Sequence, residues 1–262
     1  MSTTRPDLRS FVDNRLYKIK GFLNPVDAMI FSDILNFQTC QEYTGAVAEI
    51  GVFYGRSFAL MAKAITSEEK ALGIDLYDID GQLAYVKKTL TDESLENYTL
   101  HVGSSTEITC REIKAMVGDI RFFSVDGGHE QACVEYDSEL SLGCLSPDGI
   151  IAFDDFFNPR YPDLTVAVMN FVAKHDVTAF CITRSKLYVC KRERYEAYLD
   201  FMKTAPLWAN AYRESFQFMG REVVHPTQSM MNRAIYQTLS EKGLGKLGGF
   251  LTKNRKMEFA RE

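Results

Sequence analysis

The sequence predicts an α/β fold: a mostly parallel sheet with helices on both faces, closed by one antiparallel hairpin. Three observations predict it. Short apolar runs recur at residues 47–51, 71–75, 98–102, 120–126 and 149–154, a length that suits strands rather than helices. Helix-period segments lie between most of them, at 56–66, 80–90, 106–117 and 130–142, and such alternation describes strands paired in parallel through crossover helices. The last two runs, "VTAFCIT" (177–183) and "KLYVCKR" (186–192), are separated only by Arg184 and Ser185, a link that joins antiparallel neighbours.

In chain order, residues 1–20 are polar and mixed. "LNPVDAMIFSDILNFQT" then predicts a helix. Asn24 is a good N-cap, Pro25 suits the first helical position, and Ala28, Ile30, Phe31, Ile34 and Leu35 fall at helical spacing. These residues make an N-terminal helical cap over 1–45, followed by the alternating core over 46–192, with a helix at 164–174 before the hairpin. From Glu193 the strand signal stops. Residues 193–240 read as helical and aromatic (Tyr195, Tyr198, Phe201, Trp208, Tyr212, Phe216, Phe218), so 193–262 is expected to be a helical extension. The aromatics suit helix packing or the surface of a homo-oligomer better than a lid. The end, "EKGLGKLGGFLTKNRKMEFARE", turns glycine-rich and then basic, as a flexible tail would.

Bulk properties narrow the function classes. The 262-residue chain carries a net charge of −5, which argues against a nucleic-acid partner. Its six cysteines form no CxxC pair, which fits reduced thiols better than a zinc site or a disulfide framework. The N-terminus lacks the apolar segment of a signal peptide, and no apolar run has transmembrane length. The expectation is a cytoplasmic protein with no membrane partner.

In open α/β sheets, ligands bind beyond the carboxyl ends of the strands. The first strand ends in "VAEIGVFYGRS", where Gly51 and Gly55 permit a tight turn and close approach to backbone. The spacing is GxxxG, with Val52 and Phe53 where a dinucleotide fingerprint has its central glycine, and Glu49 suits a cationic group better than a phosphate. The second strand ends in "GIDLYD", where Asp75 can take both hydroxyls of a ribose. The third ends in "HVGSSTE", where Gly103, Ser104 and Ser105 form a small polar turn able to read an adenine edge.

With Glu49-x-Gly51-x-x-x-Gly55-x-Ser57, Asp75, Gly103-x-Ser105 and the final hairpin, the sequence resembles the class I S-adenosylmethionine-dependent methyltransferases over roughly residues 20–192. The resemblance implies a Rossmann-like, doubly wound, seven-stranded sheet of order 3-2-1-4-5-7-6. It also implies a cofactor site made of Glu49, Gly51, Gly55, Ser57, Asp75, Gly103, Ser104, Ser105 and Asp126, with Glu49 and the glycine turn on the methionine part.

Two further strand ends carry acids. "IRFFSVDGGHE" places Asp126 at one and His129 three residues on, and "GIIAFDDFFNP" ends in Asp154 and Asp155. Adjacent strand residues face opposite sides, so Asp154 and Asp155 share a ligand only where the strand has ended. "NPRYP" supports such a turn. Three carboxylates in contact repel one another, and a hard divalent cation relieves the repulsion. This pattern resembles the metal-dependent catechol-type and macrolide or aminocoumarin sugar O-methyltransferases. That likeness implies Mg²⁺ on Asp126, Asp154 and Asp155, His129 as base beside Asp126, and a small hydroxylated acceptor such as a sugar or natural-product intermediate. A metal-independent N- or O-methyltransferase and a non-catalytic protein with the same fold are the alternatives. Asp137 reads as a solvated acid on a helix surface, and His101, His175 and His225 carry no motif.

Overall fold

Apolar runs too short for helices become strands covered from both sides in the computed structural model, which describes residues 8–205, 211–228 and 230–252. β1 (Ala46–Ile50) and β4 (Ile120–Val125) are buried at every position. β1 pairs in parallel with β2 (Ala71–Asp75) and with β4. β2 pairs in parallel with β3 (Tyr98–Val102), and β4 with β5 (Leu145–Phe153). The hairpin forms from β6 (Val177–Ile182) and β7 (Leu187–Lys191), and β7 inserts antiparallel between β5 and β6. These seven strands take the order 3-2-1-4-5-7-6.

The sheet does not stop there. β8 (Tyr212–Phe218) and β9 (Arg221–Thr227) form a second antiparallel hairpin, and β9 joins β6 to give a nine-stranded sheet. The expectation of a wholly helical segment after Glu193 is therefore corrected. Among the described residues there, the α-helices are α8 (Tyr195–Thr204), α9 (Met230–Glu241) and α10 (Gly245–Thr252). The reason lies at Met219 and Gly220, both at positive φ (48° and 78°), a two-residue turn whose twist suits a hairpin. Trp208 and the basic end of the tail lie outside the described residues.

The remaining helices cover the two faces. α1 (Leu8–Asn14), α2 (Pro25–Cys40), α3 (Arg56–Ala64), α4 (Gln82–Asp92) and α8 pack on one; α5 (Cys110–Val117), α6 (Gln131–Cys144) and α7 (Pro162–Lys174) pack on the other. The alternation of strand side chains divides the two cores: Phe122 joins Phe31 and Tyr188 on the first face, and its neighbour Phe123 joins Val134 and Leu140 on the second. Asn24 caps α2 as its sequence suggests, accepting from the backbone N–H groups of Val26 and Asp27. Tyr198 and Phe201 pack α8 on α2, with Phe201 stacked on Phe37 at 4.2 Å. Tyr212 and Phe216, in contrast, are exposed on the edge strand. Cys144, Cys181 and Cys190 are buried, Cys40 is exposed, and none of the six is in a disulfide. Among the described residues, no helix is long and apolar enough to cross a membrane.

Candidate active site

A cavity of about 700 Å³ opens where the parallel strands end. Its walls are the turns after β1, β2, β3, β4 and β5, with Gly21 and Phe22 contributed by the segment before α2. Each turn follows from local sequence. Gly51 sits at φ +83°, and a Cβ built on it would lie 1.8 Å from the Asp126 carbonyl oxygen. Only glycine lets the β1 and β4 turns close on each other. Gly51→Ala is accordingly expected to cost about 3 kcal/mol of stability and to abolish cofactor binding, as urea unfolding and calorimetry would read. Gly55, at φ +86°, begins α3.

Phe53 is a non-glycine residue at φ +51°, held there by Asp75. One Asp75 oxygen accepts the Phe53 N–H at 2.7 Å, and the other accepts the Tyr77 N–H at 2.8 Å. Asp75 therefore pins two backbone turns while it lines the cavity. Phe22, largely exposed, stacks on Phe53 at 5.5 Å and continues the wall outward. After β3, Gly103, Ser104 and Ser105 line the cavity, but the Ser104 hydroxyl is engaged locally, accepting from the Thr106 N–H as the cap of a short turn. Ser105 is the less committed hydroxyl.

Glu49 stands behind this wall at 1% exposure, while Ser57 lines the cavity in front of it. Burial pushes the Glu49 carboxyl up to about 8, and Ser57 and Lys186 oppose the rise. Its Oε2 has no hydrogen-bond partner. A buried acceptor left open beside a cavity fits a donor-bearing ligand group.

At the other end the acids converge. β5 ends at Phe153; the Asp154 N–H still donates to the Val125 carbonyl at 2.9 Å, and Asp155 turns at φ +54°. The chain has turned, so the two neighbouring carboxylates reach the same end of the sheet. They have different partners. Asp155 Oδ2 meets His129 Nε2 at 3.0 Å, and its Oδ1 accepts from the Asn158 side chain at 2.9 Å. Asp154 Oδ2 meets Lys186 Nζ at 2.7 Å. Potential ligand atoms of Asp126, His129 and Asp155 all lie within 4.8 Å of one another. The His129 ring stacks on Tyr161 at 3.9 Å and 9°, which fixes its plane.

Charge explains the tension in this cluster. Burial, then Asp154 alongside, pushes the Asp126 carboxyl well above the ordinary range. Burial also pushes Asp154 up, but Lys186 and Asp126 outweigh it and hold Asp154 below its usual value. For Lys186 burial pulls the ammonium down, and Asp154, Asp126 and Asp27 together hold it up. Lys186 is 3% exposed and lies over the Phe31 ring at 5.6 Å. It is the main residue that sequence reasoning missed. As the first residue of a strand-like run it looked like an ordinary polar flank, and only the insertion of β7 beside β5 carries it to the acids. Tyr161 was likewise hidden in a turn motif.

Asp137 is corrected outright: it is fully buried, not solvated. Burial pushes its carboxyl up to about 6, and the Ser105 hydroxyl opposes that rise. Of the remaining histidines, His175 meets Glu139 at 2.9 Å and His225 meets the Ile182 carbonyl at 2.8 Å, while His101 lies against Gly103 beside the third turn.

Comparison with known proteins adds the following. Residues 48–156 match a family model described as a methyltransferase domain. No curated protein matches the chain in sequence. Among solved structures, the calicheamicin methyltransferase CalS11 superposes with a TM-score of 0.51 at 17% identity, covering 62% of this chain and 77% of its own. Its apo form is described as a TDP-rhamnose 3'-O-methyltransferase. The O-methyltransferase NovP superposes at 0.50 with 16% identity, over 62% of this chain and 78% of its own. An O-methyltransferase from Bacillus cereus, in complex with SAH, superposes at 0.50 with 14% identity, over 64% and 80%. At these identities the likeness is one of fold.

Proposed function

We propose that this chain, a class I S-adenosylmethionine-dependent methyltransferase, methylates a hydroxyl oxygen of a small molecule with the help of a divalent metal. The observation that carries this reading is the meeting of Asp126, His129 and Asp155 at one end of the cavity whose other end holds Asp75 and Ser105. The likeness to CalS11, described as a TDP-rhamnose 3'-O-methyltransferase of calicheamicin biosynthesis, supports a sugar or a natural-product intermediate as acceptor.

Residues of this chain divide the work. The Gly51–Ser57 turn, Asp75, Gly103 and Ser105 bind the donor, with Asp75 on the ribose and Ser105 on the adenine edge. Glu49, through its open Oε2 and Ser57, takes the ammonium of the methionine part. The bound donor supplies a methyl group already activated on sulfur, so the chain mainly aligns it with the acceptor. The crowded acids fit a divalent cation: Asp126 and Asp155, with Asp154, would hold Mg²⁺, which would make the acceptor hydroxyl more acidic. His129 donates its Nε2–H to Asp155, which leaves Nδ1 to take the acceptor's proton. Asp155 then faces the imidazolium that forms.

Lys186 favours a second reading. It already places a cation on Asp154, so catalysis without metal is the alternative. The test is calorimetric titration with S-adenosylhomocysteine, in Mg²⁺ and then in chelator, followed by turnover on hydroxylated acceptors under both conditions. Donor-product binding with metal-dependent turnover supports the first reading, and turnover indifferent to chelator supports the second. Asp75→Ala is expected to weaken S-adenosylhomocysteine binding about 10- to 100-fold, the value of one to two charge-assisted hydrogen bonds. Unchanged affinity would displace the ribose from Asp75.

A further inference from the structure

The segment after β5 reads "DFFNPRY" (155–161) and returns the chain to α7. Asp155 and Phe157 are non-glycine residues at φ +54° and +66°. Such a backbone persists only where the surroundings hold it. Two anchors do part of this. The N–H of the fully buried Phe156 donates to the Ser185 carbonyl at 3.0 Å, and the Phe157 N–H donates to the Thr165 hydroxyl at 3.0 Å. Asn158 ties the rest together. Its N–H donates to the Asp155 carbonyl at 2.9 Å, and its own carbonyl accepts the Tyr161 N–H at 3.0 Å. Its side-chain oxygen accepts the Arg160 N–H at 3.0 Å, and its side-chain amide donates to Asp155 Oδ1 at 2.9 Å. The two cavity residues that Asn158 holds are the two that hold His129. Asp155 Oδ2 meets the imidazole Nε2 at 3.0 Å, and Tyr161 stacks on the ring at 3.9 Å and 9°. One fixes an edge of the ring and the other a face. Asn158 itself stands behind them, outside the cavity lining.

We propose that Asn158 is a positioning residue for His129: its side-chain amide sets the Asp155 carboxylate and its carbonyl sets Tyr161, so the imidazole is held in place before any ligand arrives. Donors and acceptors match. The Asn158 amide gives a hydrogen to Oδ1, His129 gives its Nε2–H to Oδ2, and the carboxylate only accepts. Each oxygen keeps a second lone pair, so a cation can still share Asp155. Rotation of the carboxylate would carry Oδ2 away from Nε2, and the Asn158 amide opposes that rotation. With edge and face both fixed, Nδ1 points in one direction, as a base within hydrogen-bond reach of its proton requires. Misplacing a reacting group by about 1 Å costs about 100-fold in rate. A residue that touches neither donor nor acceptor therefore governs turnover through the ring it holds.

The inference rests on the reading of His129 as base, and the experiment separates the two. The full-length protein is prepared with isotope-labelled histidine, free of ligand and with metal chelated. NMR relaxation then gives the order parameter of the His129 ring, whose signals are assigned by their absence in His129→Gln. Wild type, Asn158→Ser and Asn158→Asp are compared. Both replacements keep an oxygen that can accept the Arg160 N–H, as these residues do in turns, and neither carries the amide. The wild-type ring is expected near an order parameter of about 0.85, and both variants below about 0.6. Melting temperature and S-adenosylhomocysteine affinity should stay close to wild type. On any acceptor that is turned over, both variants should lose about 10- to 100-fold in kcat with KM unchanged. A ring as ordered in Asn158→Ser as in wild type overturns the proposal. Disorder in Asn158→Asp alone overturns it too, because repulsion and not the lost donor would then be the cause. If melting temperature and S-adenosylhomocysteine affinity fall along with ring order, Asn158 is merely structural. A mobile wild-type ring means that nothing is held. Normal turnover by His129→Gln instead removes the base reading and leaves the ring measurements standing.

Discussion

Asp126→Asn is expected to lose about a thousandfold in turnover while becoming more stable than wild type at neutral and alkaline pH. Both effects come from one feature. The Asp126 carboxyl is partly buried at the cavity wall beside Asp154, and desolvation and that neighbour together hold it well above the ordinary range. Such a group keeps its proton in the folded state at pH values where the unfolded chain, with a carboxyl value of about 4, has released it. The folded state then binds more protons than the unfolded state, so stability falls as pH rises from about 4 through the folded value. The slope from this one group approaches about 1.4 kcal/mol per pH unit at its steepest. Asparagine has the same shape and no proton to lose, so the fall should flatten. It also removes the carboxylate that a bound metal would create by displacing this proton, hence the loss of turnover. Urea unfolding of both proteins at pH 5, 7 and 8.5, with a turnover assay beside it, would check this. Parallel stability curves would mean that Asp126 is not the strained group, and near-normal turnover would remove it from catalysis.

The second large effect is expected at Lys186. Lys186→Met keeps a long side chain but leaves Asp154 without its 2.7 Å partner, in a site that also holds Asp126 and Asp27. Removing one member of a buried pair costs about 3–5 kcal/mol, because the other charge stays behind unpaired. Melting should fall accordingly. The variant also separates the two readings of the site. If the acids bind a divalent cation, Mg²⁺ should raise the melting temperature of Lys186→Met more than that of wild type, since a vacated Asp154 is a better ligand and binding to the folded state alone is stabilising. An equal response to Mg²⁺ in both proteins would show that Asp154 takes no part in metal binding. Loss of turnover without any Mg²⁺ response would favour Lys186 as the working cation.

The alternating strand and helix runs, the final hairpin, the cap at Asn24 and the glycine turn at Gly51 were all legible in the sequence, because each depends on local geometry. Period, turn chemistry and positive φ are properties of a few consecutive residues, and they suffice to place Asp75, Ser105, Asp126 and Asp155 at strand ends. The β8–β9 hairpin was legible in principle: "YRESFQFMGREVVHPT" carries a glycine at its turn, but its strands alternate weakly and one faces solvent, so the aromatic content looked helical.

Tertiary structure alone decided the rest. Asp154 and Asp155 are neighbours in sequence, yet one pairs with Lys186 and the other with His129, because the chain turns between them and β7 lies beside β5. Asp137 looked like any acid on a polar helix until α6 packed it behind Gly127. Sequence by itself determined the fold and the kinds of groups at the strand ends, since backbone preference and hydrophobic period act locally. Which carboxylate is paired, which is strained and which is left open depends on burial and on charges brought from distant segments. Those are properties of the packed sheet and not of any stretch of chain.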